Sequence, residues 1–253
     1  MTDHTSVMPG AEPFSADGGP HGALVLHGFT GSPQSMRPLA AILAAAGFSV
    51  ELPRLPGHGT SVRDMLTTRW DDWARGADAA YVELASRCER VVVVGLSMGG
   101  TLSAWLAGRH PEIAGLALIN PLVQPIDVSI TELAHDLLDK GEATMPGIGS
   151  DIADPDQTEL AYSETPLECL LSLASAVADL TVTLSEISMP LLLLNSPQDH
   201  VVSPSNSELL ATAVRGPVER VSLDRSYHVA TLDYDRELIE TRVVDFVRRV
   251  TQA

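Results

Sequence analysis

The sequence predicts an α/β fold, a mostly parallel central sheet with helices packed on both faces. Three observations predict it. Short apolar runs such as Ala23-Leu24-Val25-Leu26, Val91-Val92-Val93-Val94 and Leu191-Leu192-Leu193-Leu194 read as strands buried on both faces. Segments with apolar residues at helical spacing lie between them, so strand and helix signals alternate along the chain. The 253 residues also suffice for one large domain, taken here as residues 1–253, with a core that needs no staples.

In chain order, residues 1–20 are broken by Pro9, Gly10, Pro13, Gly18, Gly19 and Pro20. They leave room for one short edge strand near residues 11–15 and otherwise read as loop. The strand at Ala23 to Leu26 runs into His27-Gly28-Phe29-Thr30-Gly31-Ser32. Residues 33–47 carry leucine, isoleucine and alanine at helical spacing, with Gly47 as the stop. A strand at 48–52 and a proline- and glycine-rich loop at 53–60 follow. Trp73, Ala77, Ala80, Tyr81, Leu84 and Ala85 then mark an amphipathic helix over 70–87. The valine strand comes next, then a helix over 98–109, closed by His110-Pro111, and a strand over 113–120.

There the rhythm breaks. The next clear strand, Pro190-Leu191-Leu192-Leu193-Leu194-Asn195, starts about seventy residues later, far beyond an ordinary crossover. The excess predicts an insertion over about residues 121–166, with a short amphipathic piece at 131–140 and a glycine- and proline-bearing stretch at 141–149. Residues 166–186 read as the crossover helix. A helix over 204–214, a strand over 218–223 and a closing helix over 234–249 complete the chain. Leu238, Ile239, Val243, Phe246, Val247 and Val250 form the apolar stripe of that last helix.

Composition excludes several classes. The net charge of −17, with 16 Lys and Arg against 33 Asp and Glu, offers no basic patch for nucleic acid or an anionic membrane. No stretch approaches eighteen apolar residues, and residues 1–20 lack a basic segment followed by an apolar one, so a soluble cytoplasmic protein is expected. Cys88 and Cys169 are far apart without metal-type spacing, which suits a reducing compartment. Gly57-His58-Gly59 lacks the lysine and Ser/Thr of a phosphate-binding loop, and there is no H-E-x-x-H. Neither cofactor nor metal is expected.

The chemistry is read from Gly95-Leu96-Ser97-Met98-Gly99. A strand, a sharp turn and a helix are the context of a G-x-S-x-G nucleophile elbow, which lifts the serine hydroxyl above the sheet. A serine is a weak nucleophile unless a base takes its proton, and the base needs a carboxylate to fix its tautomer. Asp199 and His228 lie just past late strands and supply both in the order serine, aspartate, histidine. Asp199 alone also reads as a turn cap, and His228 alone as a loop histidine near a helix start. His200, Asp224, His58, His110 and His135 read as loop, structural or solvated residues. Two backbone donors are expected for an oxyanion: Met98, after the nucleophile, and Phe29, in the loop after the first buried strand.

With these residues in place the chain resembles an α/β-hydrolase, and within that fold the bacterial carboxylesterases and monoacylglycerol lipases. The motifs that carry the likeness are His27-Gly28-Phe29-Thr30-Gly31-Ser32-Pro33, Leu55-Pro56-Gly57-His58-Gly59, Gly95-Leu96-Ser97-Met98-Gly99-Gly100, Asp199-His200-Val201-Val202 and Ser226-Tyr227-His228-Val229-Ala230-Thr231-Leu232-Asp233. Ile148-Gly149-Ser150-Asp151-Ile152 and Glu159-Leu160-Ala161-Tyr162 are more particular to the lipases. The resemblance implies a small cap made by the insertion, a catalytic triad of Ser97, Asp199 and His228, and oxyanion donors at Phe29 and Met98. It implies hydrolysis of a small-molecule acyl ester, a monoacylglycerol, with Leu137, Leu138, Met145 and Ile148 along the acyl chain and Glu159 at the glycerol hydroxyls. The alternative is a general carboxylesterase on short- to medium-chain esters. Thioesterase, carbon–carbon hydrolase and perhydrolase chemistry share the triad, and a silent binding module is the reading from another class.

Overall fold

A computed structural model describes residues 6–252. Residues 1–5, read above as part of the leading loop, lie outside the described residues. The strands in chain order are β1 (Phe14–Ala16), β2 (His21–Leu26), β3 (Ser49–Leu52), β4 (Arg90–Leu96), β5 (Gly115–Ile119), β6 (Thr144–Pro146), β7 (Glu164–Pro166), β8 (Leu191–Asn195) and β9 (Val218–Ser222). The helices are α1 (Arg37–Ala45), α2 (Val62–Met65), α3 (Trp70–Arg87), α4 (Met98–Arg109), α5 (Val128–Asp139), α6 (Leu167–Thr181), α7 (Ser205–Ala213) and α8 (Arg236–Thr251). The main sheet runs β1-β3-β2-β4-β5-β8-β9, and only the edge strand β1 is antiparallel to its neighbour. The architecture is that of an α/β-hydrolase.

The valine strand β4 sits at the centre of the sheet, with Val94 beside Val25 on one side and Ala117 on the other. Side chains of a strand alternate between faces, so each apolar run divides into two cores. Leu24, Val91, Val93, Leu116 and Leu193 pack toward α3, α4 and α6. Val25, Val92, Val94, Ala117 and Leu194 pack toward α1 and α8.

The expected stripe on α8 needs one correction. Ile239, Val243, Phe246, Val247 and Val250 are buried, whereas Leu238 is 40% exposed. Successive helical residues are turned by about 100°, and Leu238 faces away from the side that Ile239 buries. Phe246 packs so close under β5 that a Cβ on Gly115 would stand 2.9 Å from its Cζ.

Between β5 and β8 the chain forms α5, the antiparallel pair β6 and β7, and α6. Helix α6 belongs to the main body, burying Cys169, Leu173 and Val177 in the core beside α3 and α4. Helix α5 instead packs on α6, around Ala134, Leu167 and Leu170. The short elements α2, β6 and β7 were not foreseen, because three or four residues carry no readable period. No helix among the described residues is long and apolar enough to cross a membrane.

The Phe246 contact defines a stability prediction. Phe246→Ala leaves a cavity between α8 and the sheet and is expected to cost about 3–5 kcal/mol in urea unfolding, whereas Leu238→Ala stays within about 0.5 kcal/mol.

Candidate active site

Strand β4 ends at Leu96 and α4 begins at Met98, so Ser97 alone makes the turn between them, at φ 56° and ψ −117°. Such backbone costs about 1–3 kcal/mol for a residue with a side chain and persists only where its surroundings impose it. Here they do. The Ser97 N–H donates to Ile119 O at 3.1 Å, and the Ser97 carbonyl accepts from Gly100, Thr101 and Leu122. A Cβ on Gly99 would stand 2.1 Å from Leu26 O, and one on Gly95 2.2 Å from Gly99 O. Neither glycine has a positive φ, so both are needed for space rather than for conformation. The elbow is wedged against the end of β2.

Asp199 and His228 project from the loops after β8 and β9, two strands that pair in register. His228 Nδ1 donates to Asp199 Oδ2 at 2.7 Å, with side chains only 9% and 1% exposed. The other oxygen, Asp199 Oδ1, accepts the N–H groups of Val201 and Val202 at 2.8 Å each. Both readings of Asp199 therefore hold at once, since it caps its own turn and binds the histidine. With Nδ1 committed as donor, Nε2 is the basic nitrogen. Asn120, which follows β5 at φ 44°, joins this pair to the elbow. Its Nδ2 donates to His228 O at 2.8 Å, one residue beyond the Ile119 carbonyl that holds Ser97.

The loop after β2 lies over the serine. Ideal Cβ placement on Gly28 puts it 3.5 Å from Ser97 Cβ and 4.0 Å from its Oγ. Among the described residues no protein acceptor takes the N–H of Phe29 or of Met98. His27 holds the loop from below: Nδ1 donates to Gly28 O at 2.9 Å and Nε2 accepts the Leu55 N–H at 3.2 Å. Burial pushes the His27 pKa down to about 4, against its bond to the Gly28 carbonyl, so the ring is neutral at pH 7. His58 is also fully buried, pushed down to about 3 by desolvation and then by the neighbouring His27. It packs edge-on against His27 and Trp73, with ring centroids 5.1 and 5.5 Å apart. His135 is exposed, and His110 bonds Asp78 at a distant helix end.

The inserted residues divide. Met145 is half-buried with Leu137, Leu138 and Phe29 around the α5–α6 cluster, which makes an apolar surface continuous with the Phe29 loop. Ile148 is 67% exposed and outside that cluster. Glu159 is half-buried against Gly31, where a Cβ would stand 2.7 Å from its Oε1. Desolvation raises its pKa to about 7, opposed by the nearby His228 and the Ser35 hydroxyl. A surface groove of about 740 Å³ lined by Trp70, Trp105, Arg109 and Asp179 shares no residue with this site.

The family model for serine aminopeptidase, S33, matches residues 20–235. The thermostable monoacylglycerol lipase of Bacillus sp. (strain H-257) is 45% identical over 97% of this chain and 98% of its own. The carboxylesterase of Bacillus subtilis (strain 168) is 26% identical over 94% and 97%. A solved structure of a metagenome-derived lipolytic enzyme superposes with a TM-score of 0.93 at 43% identity, covering 96% of this chain and all of the other. The monoacylglycerol lipase of Paleococcus ferrophilus shares the fold, at a TM-score of 0.79 and 18% identity over 95% and 98% of the two chains.

Glu159 sets a pH dependence. The folded chain keeps this proton up to about pH 7, whereas an unfolded glutamate releases it near 4.5. The native state binds more protons in that window, so the contribution of this group to stability falls as pH rises through it. Glu159→Gln is expected to gain about 1–3 kcal/mol over the parent in urea unfolding at pH 8 and little at pH 4.5. An equal difference at both pH values would contradict the raised pKa.

Proposed function

The chain belongs to the serine aminopeptidase, S33, family of α/β-hydrolases, and from that premise we propose that it hydrolyses carboxylic esters, monoacylglycerols foremost, through an acyl-enzyme on Ser97. The observation that carries the hydrolytic reading is the buried 2.7 Å bond from His228 to Asp199, in a chain whose Ser97 stands on a strained elbow. The family name refers to a peptidase. The ester reading follows the Bacillus lipase that matches nearly the whole chain at 45% identity.

In the proposed mechanism His228 Nε2 takes the proton of Ser97 Oγ as the oxygen attacks the acyl carbon. The uncommitted N–H groups of Phe29 and Met98 receive the oxyanion, each such donor contributing about 2.7–4 kcal/mol to the transition state. His228 then passes the proton to the leaving alcohol, and Asp199 stabilises the imidazolium between the two transfers. Water repeats the route on the acyl-enzyme. Residues 121–166 act as the cap. The acyl chain lies along Phe29, Leu137, Leu138 and Met145, where each methylene buried is worth about 0.8 kcal/mol. Glu159 faces the glycerol hydroxyls, with Ile148 on the outer rim. Unpaired Cys88 and Cys169 support a cytoplasmic setting.

The second reading, a general carboxylesterase without glycerol selectivity, is favoured by the Bacillus subtilis relative. Ser97→Ala is expected to lower kcat by about six orders of magnitude and to abolish labelling by a fluorophosphonate; retained turnover would refute the acyl-enzyme. Kinetics on monoacylglycerols, diacylglycerols and p-nitrophenyl esters of graded length separate the two substrate readings. Higher kcat/KM for the monoacylglycerol supports the first, and equality with simple alkyl esters supports the second.

A further inference from the structure

Asp151 lies in the inserted segment, between β6 and β7, far in sequence from either catalytic loop. Its side chain is 14% exposed. Oδ2 accepts two backbone N–H groups: that of His228 at 3.1 Å and that of His200, next to Asp199, at 3.2 Å. Oδ1 accepts from His200 Nδ1 at 2.8 Å, and the Asp151 carbonyl accepts the Val229 N–H at 3.0 Å. One carboxylate oxygen thus binds the backbones of the two loops whose side chains form the His228–Asp199 pair. Each loop follows a different strand; Ser196 Oγ donates to Tyr227 O at 2.8 Å and Gln198 Nε2 to Asp224 O at 3.0 Å near their bases, whereas the N–H groups of His200 and His228 meet at Asp151 Oδ2. The geometry points to Asp151 as a positioning residue for the catalytic base: it holds the two loops at the spacing that keeps His228 bonded to Asp199. The inference rests on the reading of His228 as the base.

A second carboxylate separates this role from general folding. Asp233, 1% exposed, accepts the N–H groups of Ala153 and Tyr227 on Oδ2 and those of Asp154 and Tyr234 on Oδ1. It fastens residues 153–154 to the histidine loop without Asp151. Removing the Asp151 carboxylate therefore leaves the inserted segment anchored and frees the N–H groups of His200 and His228, while Asn120 Nδ2 still holds the His228 carbonyl. A misplacement of the base by about 1 Å is enough to cost about 100-fold in rate.

The experiment compares Asp151→Ala, Asp151→Asn and His228→Ala, following kcat, KM and the rate of Ser97 phosphonylation by a fluorophosphonate. Asp151→Ala is expected to lose about 10- to 100-fold in kcat and in phosphonylation rate, with KM changed less than about threefold. Asp151→Asn keeps an oxygen able to accept both N–H groups and is expected to recover most of that loss. Parental kcat in Asp151→Ala, a change confined to KM, or an equal loss in the asparagine variant would overturn the inference. Activity retained in His228→Ala would instead overturn the reading it rests on. Amide exchange in the parent protein needs no variant to fold: the His228 N–H is expected to be protected, and free exchange there would also overturn the inference.

Discussion

The site depends first on a close backbone approach. At the elbow the Cα of Gly99 lies against the end of β2, so near that any side chain would meet Leu26 O. That contact sets where α4 begins, and with the Ile119 acceptor it holds Ser97 in backbone geometry that a serine does not choose. The β-branched run of β4 has a part in this. Four valines buried between flanking strands make a stiff central strand, and strain at Ser97, just past its end, is stored only because the strand and the helix cannot give way.

The other side of the site is built from loops, which the sheet alone does not hold at fixed separations. The inserted segment laces them together. Tyr162 N–H donates to Thr30 O beside Phe29, and its hydroxyl donates to Gly57 O after β3. Asp151 reaches the loops after β8 and β9, and Asp233 returns a further set of bonds from the histidine loop. Loops after β2, β3, β8 and β9 are thus joined through one stretch of chain. Buried carboxylates suit the task, because each oxygen has room for two N–H groups that would otherwise be left unsatisfied.

Much of the fold was legible in the sequence. Runs such as Leu191 to Leu194 and the period of 70–87 are long enough to separate strand from helix, and the order of elements follows from them. Where the pattern failed, the physical cause is specific. Leu238 was placed on a stripe from which it is turned away, since a moderately apolar position at the stripe's edge faces either way. The elements α2, β6 and β7 are shorter than any period. In the site, Ser97, Asp199 and His228 were legible as residue types just past strand ends. Asn120 and Asp233 were not, because an asparagine after a strand and an aspartate before a helix are ordinary turn residues until their partners are known. His58, read as structural or solvated, is structural, sealed between His27 and Trp73.

What the sequence by itself determined is the local grammar: which segments are strands, where they stop, and that a serine between small residues follows the most β-branched of them. Those features rest on near-neighbour sterics and on solvent exclusion along one element, and both act within a few residues. Only the tertiary structure decided that Asp199 and His228 meet, that one inserted carboxylate binds the backbones of both their loops, and that Glu159 is desolvated against Gly31 while Ile148 stands in solvent. The reason is that a hydrogen bond between residues 29 or 77 positions apart, such as those from His228 to Asp199 and to Asp151, leaves no periodic trace in the chain. It exists only once the sheet has brought its strand ends to one edge.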